Sequence, residues 1–462
     1  MNTKRTILFL VPDGVGIKNY LYSNVIRYLK EGNARIVIWS PLPEAMFKEV
    51  SDLHGITLEY KYMPLIAEPP LTRLYREATT YARLLRNSKL KNNPSILSNW
   101  SLPQKNIKLK VLYLAAVQLG RFLAKDYDRL LSYEEKSKQH WSKALIERYK
   151  ADLEILQPLS IFITHQRVAS LMPICLAAKA LRIKVVTAIF SWDNLPKARL
   201  CVSADTYLVW GDWMKTEMAD YYPEIPAAQV KLVGTPQFEF YLDNTRRQDR
   251  AAFAKQHGLD INKRWVCFSG DDVKTSPYDA LYFKDVVEAL QPYKETIQLI
   301  FRRCPVDFSS RYDSVLDINT DFVFAIDPLW HIPEGGWTGY VSKYEDVAMQ
   351  VNLASHCDVV INLGSTMAHD FTMCGKPCLY LNYNPVSDVN WNVERIYQYQ
   401  HFRSMADLDA VGWILNKESI GDQVLKAIAH PNEIGGQRKA WVEKIVLHPV
   451  KENSVLIAKA IV

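Results

Sequence analysis

The chain has 462 residues, 48% of them hydrophobic and 23% charged, with a net charge of +6. This composition is typical of a folded protein and excludes a disordered one, and the length predicts two domains of roughly 200 residues each. No apolar run approaches the roughly 18 residues of a transmembrane helix, and Pro12-Asp13-Gly14 ends the first run too early for a signal peptide.

Short apolar stretches alternate with longer amphipathic ones, a pattern that predicts parallel sheets with helices on both faces. The predicted strands of the first half are Thr6–Val11, Arg35–Trp39, Thr57–Tyr60, Ile161–Thr164, Lys184–Ile189, Thr206–Trp210 and Val230–Val233. Those of the second half are Trp265–Ser269, Ile297–Phe301, Phe322–Ile326, Val359–Leu363 and Cys378–Leu381. From Val393 to Val462 we expect helices, with breaks at Pro431 and Pro449.

A basic segment rich in aromatic residues lies between the third and fourth predicted strands. Residues 71–150 contain 17 Lys and Arg against 6 Asp and Glu, a net charge of +11, whereas the rest of the chain is net −5. Such helices suit an anionic membrane surface or a lipid-linked phosphate, and Arg73, Arg76, Arg83 and Arg86 are the expected contacts. A solvated basic face is the alternative, and without a nucleic-acid motif we expect no nucleic-acid partner.

The polar segment Asp243–Asp249 separates two halves of the same strand and helix pattern. We therefore predict an N-terminal domain over residues 1–242, with a helical insertion at about 71–157, and a second domain over residues 243–435. Residues 436–462 form a helical segment that we expect to pack back on the N-terminal domain. Two doubly wound domains facing a cleft would bind ligands at the carboxyl ends of their strands.

The seven cysteines lie mostly inside predicted strands and helices. They have neither the spacing of a metal site nor that of a disulfide framework. We therefore expect a cytoplasmic protein without a metal site, and peripheral attachment to the inner membrane face is a further option because of the basic segment.

The segment Asp358–Leu381 is the clearest candidate for a ligand site. It reads as a buried strand, a Gly364-Ser365-Thr366 turn, a short helix and a second strand after Gly375-Lys376-Pro377. Gly364 allows a sharp turn, and Ser365 or Thr366 can cap the helix, whose N-terminus would then favour an anion such as a diphosphate. Asp370 could accept hydrogen bonds from ribose hydroxyls, and an ordinary strand-turn-helix connection is the alternative.

Four motifs together resemble the GT-B glycosyltransferases, particularly those of bacterial surface polysaccharides, which are related to nucleotide-sugar transferases and epimerases. They are Leu8–Tyr20 (LFLVPDGVGIKNY), Phe190–Leu200 (FSWDNLPKARL), Leu299–Pro305 (LIFRRCP) and Glu345–Pro377. The third is similar to an Arg-x-His-Pro element in which Cys304 replaces the histidine. The fourth is similar to the donor-site block of the family, and the order of the four motifs spans nearly the whole chain.

The resemblance implies a nucleotide-sugar donor domain in the C-terminal half and an acceptor domain in the N-terminal half. It implies a donor diphosphate at Gly364, Ser365 and Thr366, with ribose near Asp370. Arg302 ends a strand and would pair with the phosphates, and its alternative is a surface ion pair.

Two further donor-side candidates follow strands of the second half. Gly270 lies in a turn that could approach the sugar or phosphates closely, and an ordinary turn is an equal interpretation. Trp330 begins a loop that continues through Gly335-Gly336-Trp337, where related folds hold the nucleotide base. Trp330 could stack on that base or cover the core.

The acceptor side needs a base that removes a proton from a hydroxyl group. Asp13 and His165 both follow predicted strands, and we place Asp13 slightly ahead of His165 as that base. Asp13 could instead cap a helix, and His165 could be a core histidine. Asp193, Asn194 and Lys197 follow another strand, and there we expect acceptor positioning, although Asp193 is a third candidate base.

These residues predict a glycosyltransferase that moves a sugar from a nucleotide-sugar co-substrate to a glycan or lipid-linked acceptor in cell-surface polysaccharide synthesis. Because the pair of glutamates typical of retaining branches is absent between Gly335 and Pro377, we expect inversion, without a metal or other cofactor. One alternative is a nucleotide-sugar epimerase or a glycerophosphate-type transferase on the same fold. The other is a non-catalytic scaffold in a polysaccharide assembly complex.

Overall fold

The structure is a computed structural model that describes residues 5–331 and 339–462. The chain forms two compact units. The first contains residues 1–236, 399–401 and 445–462, and the second contains residues 237–398 and 402–444.

The first unit is built on a parallel sheet whose strands and helices alternate along the chain. Its strands are β1 Arg5–Leu10, β2 Ala34–Ser40, β3 Glu59–Tyr62, β4 Ser160–Ile163, β5 Lys184–Ala188, β6 Thr206–Val209 and β7 Val230–Leu232. Its helices up to residue 236 are α1 Gly14–Gly16, α2 Asn24–Glu31, α3 Lys48–His54, α4 Pro70–Leu90, α5 Ile107–Leu123, α6 Tyr127–Gln139, α7 Lys143–Leu156, α8 Met172–Ala180 and α9 Asp212–Tyr221.

The order of the strands in this sheet is β3-β2-β1-β4-β5-β6-β7. The chain builds outward from β1 in one direction and from β4 in the other, so the order reverses between these two adjacent strands. Leu8 of β1 is in register with Ile161 of β4, and both are fully buried. Doubly wound sheets bind ligands at such a reversal, beyond the carboxyl ends of the strands.

Helices α4 to α7 form the insertion between β3 and β4. Of the four arginines expected on its basic face, Arg83 is only 2% exposed and pairs with Glu134 and Glu224 at 2.6 Å each. Arg73 and Arg76 both pair with Glu68, and Arg86 lies 4.4 Å from the ring centre of Tyr127. Three of these arginines are thus paired with glutamates inside the unit, and the membrane contact expected of the four stays a prediction.

The second unit has a parallel sheet of six strands in the described residues, in the order β10-β9-β8-β13-β14-β15. The strands of this unit, including a separate antiparallel ribbon of β11 and β12, are β8 Arg264–Ser269, β9 Ile297–Arg302, β10 Val323–Ala325, β11 Trp330–His331, β12 Val341–Ser342, β13 Val359–Asn362, β14 Cys378–Leu381 and β15 Gly412–Ile414. Its helices are α10 Arg250–His257, α11 Asp279–Leu290, α12 Asp313–Leu316, α13 Tyr344–His356, α14 Met367–Met373, α15 Glu394–Tyr397, α16 Ile420–Ala429 and α17 Arg438–Ile445. Here the strand order reverses between β8 and β13.

Strand β15 corrects the expectation of helices throughout residues 393–462. Gly412–Ile414 pairs in parallel with Leu379–Leu381 of β14 and forms an edge of the second sheet. A three-residue strand is too short to show a period of two in the sequence.

The last helix, α18 Asn453–Ile461, belongs to the first unit. Ser160 of β4 donates its hydroxyl hydrogen bond to the carbonyl of Ile461, and Asn453 donates its side-chain amide to the carbonyl of Thr235 at 3.2 Å. Among the described residues, no helix has both the length and the apolar character needed to cross a membrane.

Candidate functional site

Asp13 and His165 meet at the strand-order reversal of the first sheet. Asp13 follows β1 and His165 follows β4, and His165 Nδ1 lies 2.5 Å from Asp13 Oδ2. Asp13 Oδ1 accepts the backbone N–H groups of Val15 and Gly16 at 3.2 Å each and so caps α1. The helix cap, one of the two interpretations that the sequence left open for Asp13, is therefore present, and the other carboxylate oxygen binds the histidine. The role of Asp13 as the base stays a prediction.

The geometry fixes which nitrogen of His165 can accept a proton. A carboxylate oxygen only accepts hydrogen bonds, so Nδ1 carries the hydrogen and Nε2 is the acceptor of the neutral ring. His165 is 3% exposed, and its Nε2 is a buried atom without a hydrogen-bond partner in the described residues. The ring stacks on Phe190 with their centres 3.9 Å apart. This arrangement orients the imidazole ring and leaves one buried nitrogen without a hydrogen-bond partner in the described residues.

A close contact between two loops brings this pair together. A Cβ atom added to Gly16 would lie 2.4 Å from Thr164 Oγ1 and 3.0 Å from Thr164 Cβ. Only glycine lets the loop after β1 come this close to the end of β4. Gly16 therefore contributes to the approach of Asp13 to His165.

The predicted acceptor-side residues form a second polar cluster in the same unit. Asp193 binds the ammonium group of Lys197 and accepts the side-chain amide of Asn194 at 2.8 Å. Burial alone would raise the pKa of Asp193, but Lys197 and His401 outweigh it and hold that pKa below its usual range. Asp193 is thus an ionised ion-pair partner, which argues against its role as the base. Burial lowers the pKa of His401 to about 4.

Arg167 is a residue of this region that the sequence did not single out. It lies two positions after His165, and its Nε is a buried atom with no hydrogen-bond partner in the described residues. Burial and then the nearby Arg199 lower the pKa of Arg167, although Asp193 and Asp13 oppose this effect. Its place in the chain, directly after a strand and beside a candidate base, is the signal that could have found it.

The Gly364 turn lies at the corresponding reversal of the second sheet, directly after β13. Gly364 has a φ of +71°, and a Cβ atom there would lie 2.8 Å from Phe402 Cζ. The sharp turn is confirmed. Ser365 Oγ accepts the N–H of Met367 at 3.3 Å, while Thr366 makes no side-chain cap, so Ser365 provides the cap of α14.

Two of the donor-side residues already have partners inside the second unit. Arg302 is 6% exposed and donates to Asp346 Oδ1 at 2.6 Å. It therefore forms a buried ion pair, whereas the alternative to phosphate binding that the sequence offered was an ion pair at the surface. Asp370 accepts a hydrogen bond from Gln350 at 2.9 Å and is 7% exposed. These contacts do not support the phosphate and ribose roles, which stay predictions.

Gly270 follows β8, on the other side of the same reversal. A Cβ atom there would lie 3.1 Å from the hydroxyl of Tyr312 and 3.4 Å from Asp279 Oδ2. Packing inside the unit thus accounts for the glycine, which favours the ordinary turn over a close approach to a ligand.

Trp330 borders a cavity of about 350 Å³ near the carboxyl ends of β9 and β10. The cavity wall also contains Arg303, Cys304 and Phe308, and Trp330 Nε1 donates to Asp346 Oδ2 at 2.8 Å. Burial raises the pKa of Cys304 to about 12, so this residue is a neutral thiol at the position where the related motif has histidine. The predicted loop after Trp330, residues 332–338, lies outside the described residues.

Comparison with solved structures identifies the architecture. UDP-GlcNAc 2-epimerase from Neisseria meningitidis, bound to UDP-GlcNAc, is similar over 98% of this chain and 99% of its own, with a TM-score of 0.51 and 12% identity. A glycosyltransferase from Rickettsia africae is similar over 99% of both chains (TM-score 0.50, 10% identity). The wall teichoic acid polymerase TagF is similar over 99% of this chain and 88% of its own (TM-score 0.50, 10% identity).

The chain has the GT-B fold. No protein-family model matches the sequence, and no curated protein sequence matches it. At 10–12% identity these similarities extend to the fold alone. The fold predicted from the four sequence motifs is therefore confirmed. Because epimerases and transferases share the GT-B fold, the fold does not determine which reaction is catalysed.

Proposed function

We propose that the protein is a glycosyltransferase that moves a sugar from a nucleotide-sugar donor to a hydroxyl group of a glycan or lipid-linked acceptor in cell-surface polysaccharide synthesis. The observation that carries the proposal is the Asp13–His165 pair, in which a carboxylate orients a buried imidazole and its Nε2 has no partner in the described residues. Such a pair is suited to removing a proton from a hydroxyl group.

In the proposed reaction His165 Nε2 takes the proton of the acceptor hydroxyl as its oxygen forms a bond to the anomeric carbon. The bond from that carbon to the nucleoside diphosphate breaks on the opposite side, so the configuration inverts. Asp13 stabilises the imidazolium that forms, because its carboxylate faces Nδ1. The sequence placed Asp13 ahead of His165 as the base. This assignment reverses that ranking, since His165 becomes the base and Asp13 its positioning residue.

The same proposal assigns the donor to the second unit. The Gly364 turn lies at the strand-order reversal, the usual ligand position of a doubly wound sheet. The wall of the cavity beside Trp330 also contains Phe308, and these aromatic rings are suited to stacking on a nucleotide base. The one arginine among the described residues of that wall, Arg303, pairs with Asp313 and Asp327. In the first unit, Arg167 would bind an anionic group of the acceptor, such as a phosphate, because a guanidinium group matches its oxygens.

The first test is a thermal-shift screen of the protein against UDP-, GDP-, CDP- and dTDP-linked sugars. A donor at 100 times its Kd should stabilise the protein by about 2.7 kcal/mol. Nucleotide diphosphate release with a glycan acceptor should then fall roughly 10²–10⁴-fold in His165→Ala. The exposed His430 provides the control, and His430→Ala should keep wild-type turnover.

Three results would contradict the proposal in different ways. Conversion of a nucleotide sugar without any acceptor would make the protein an epimerase. Binding of a nucleotide sugar without turnover would favour the scaffold alternative. Turnover that survives His165→Ala would leave the transferase intact but remove His165 as its base.

A further inference from the structure

Helix α5 carries an exposed apolar stripe on its outer face. Ile107, Val111, Leu114 and Phe122 are 72%, 60%, 45% and 48% exposed. Successive residues of an α-helix are rotated by about 100°, so these four positions fall within roughly 80° of one another. Apolar side chains of this size do not gather by chance on a solvated helix face, where polar residues are usual.

The opposite face of α5 packs against α4 and fixes the orientation of the stripe. Ala116 and Leu123 are fully buried there, in a cluster with Ala78 and Ala82 of α4. A Cβ atom added to Gly120 would lie 2.7 Å from the carbonyl oxygen of Ala78, so the two helices are in close contact. The apolar stripe therefore points away from the packed side as a consequence of the fold.

The charged residues of the segment 104–125, which carries the stripe, are all basic. Between positions 104 and 125 the chain has no acidic residue, and its five basic residues are Lys105, Lys108, Lys110, Arg121 and Lys125. In contrast to Arg76 and Arg83 of α4, which are bound to glutamates inside the unit, none of these five forms an ion pair in the described residues. This part of the insertion thus combines an apolar surface with uncompensated positive charge.

We propose that the α5 stripe binds the surface of an anionic phospholipid bilayer, with the helix lying in the plane of the interface. The apolar side chains would enter the acyl boundary, and the lysines and arginine would meet lipid phosphates, the usual division on an interfacial amphipathic helix. A protein partner or a second copy would be expected to present acidic groups to this face. The proposal does not rest on the sugar-transfer function, because no nucleotide sugar is needed for binding.

The test is co-sedimentation of the full chain with vesicles of phosphatidylcholine alone or of equimolar phosphatidylcholine and phosphatidylglycerol. We expect binding to the anionic vesicles that weakens with added salt. The triple variant Val111→Gln, Leu114→Gln, Phe122→Gln should bind at least about tenfold more weakly. Glutamine is a good helix former and these positions are exposed, so the variant should fold.

A second variant removes the charge, and a third serves as the matched control. Lys105→Gln, Lys108→Gln, Arg121→Gln should reduce binding by roughly fivefold for each cation removed. In the control, Lys143→Gln, Arg148→Gln, Ile155→Gln, the same residue types are changed on the exposed side of α7, where Ile155 is 85% exposed. This control should bind like the wild type.

Wild-type affinity in the stripe variant, or equal loss in the α7 control, would overturn the assignment of the lipid surface to α5. Absence of vesicle binding by the wild type would overturn the proposal as a whole. If sedimentation velocity without lipid instead shows a dimer that the stripe variant loses, the stripe binds a second copy, and the membrane proposal is wrong.

Discussion

The Asp13–His165 contact predicts that Asp13→Asn changes the protonation site of the histidine without changing its position. The backbone N–H groups of Val15 and Gly16 both point at Asp13 Oδ1. In the variant they require the amide oxygen at that place, so the amide NH₂ must face His165 Nδ1. Nδ1 then has to accept a hydrogen bond, and the hydrogen of the ring moves to Nε2.

The expected loss of rate follows from the interactions that Asp13→Asn keeps and from those that it removes. Asn and Asp are equally good N-cap residues, so the helix cap, worth about 1 kcal/mol, is retained and stability changes little. Nε2 loses its ability to accept a proton, and the imidazolium loses a facing carboxylate. General-base catalysis of this kind is worth roughly 10²–10⁴ in rate, which corresponds to a barrier increase of about 3–5 kcal/mol. We expect the loss in kcat, with KM for the donor nearly unchanged.

Two measurements check this prediction, and one of them needs no substrate. Nitrogen NMR of protein labelled at its histidines should show His165 protonated at Nδ1 in the wild type and at Nε2 in Asp13→Asn, with the signal assigned by its loss in His165→Gln. Turnover with the donor found in the thermal-shift screen gives the rate. Nε2 still unprotonated in Asp13→Asn, or a rate loss below tenfold, would refute the proposed orientation of the pair.

Two further predictions concern stability. Burial raises the pKa of Glu217 to about 8, so the folded protein keeps a proton that the unfolded chain loses, and the free energy of unfolding falls as the pH rises from about 4.5 to 8. In urea unfolding, Glu217→Gln should therefore gain about 2–3 kcal/mol of stability relative to the wild type between pH 5.5 and 7.5. The exposed Glu154→Gln should give a pH profile parallel to that of the wild type, and a parallel profile for Glu217→Gln as well would contradict the burial argument. Gly364→Ala should cost about 2–4 kcal/mol of stability, because a positive φ costs about 1–2 kcal/mol and the new Cβ would contact Phe402. Gly375 also has a positive φ, but a Cβ there would have nothing within 4 Å, so Gly375→Ala should lose only the cost of the backbone conformation. Equal losses in the two variants would exclude the steric contribution.

Most of the strands could be predicted from the sequence because each of them is a largely apolar run. All twelve predicted strands are present, with ends that differ by at most two residues. The short strands β11, β12 and β15 were missed, because two or three residues carry no period. Strand order, in contrast, depends on contacts between distant parts of the chain, and the adjacency of β1 and β4 is the feature that makes a site of Asp13 and His165.

The side chains of the candidate site could be predicted only as far as local position determines them. The position of a residue at or just after the end of a strand is a local property, and it singled out Asp13, His165, Arg302 and Gly364. Their partners are not local, since Arg302 meets Asp346 44 positions later in the sequence and Asp13 meets His165 152 positions later. The sequence therefore identified candidate residues but could not assign their roles.

The difference between local sequence and contacts with distant residues also decides where the positive charge of the insertion lies. The net charge of +11 is a property of residues 71–150 as a whole, and it cannot tell a cation that faces solvent from one bound to a glutamate. Arg83 lies near the start of that segment and is buried between Glu134 and Glu224, the latter in a different part of the first unit. Setting such paired arginines aside leaves cations without an ion pair in the described residues, and those along α5 lie on the helix that also carries the apolar stripe. Charge and exposure together indicate a surface there that neither composition nor burial alone would have indicated, and for this reason the vesicle test is directed at α5 rather than at the arginines of α4.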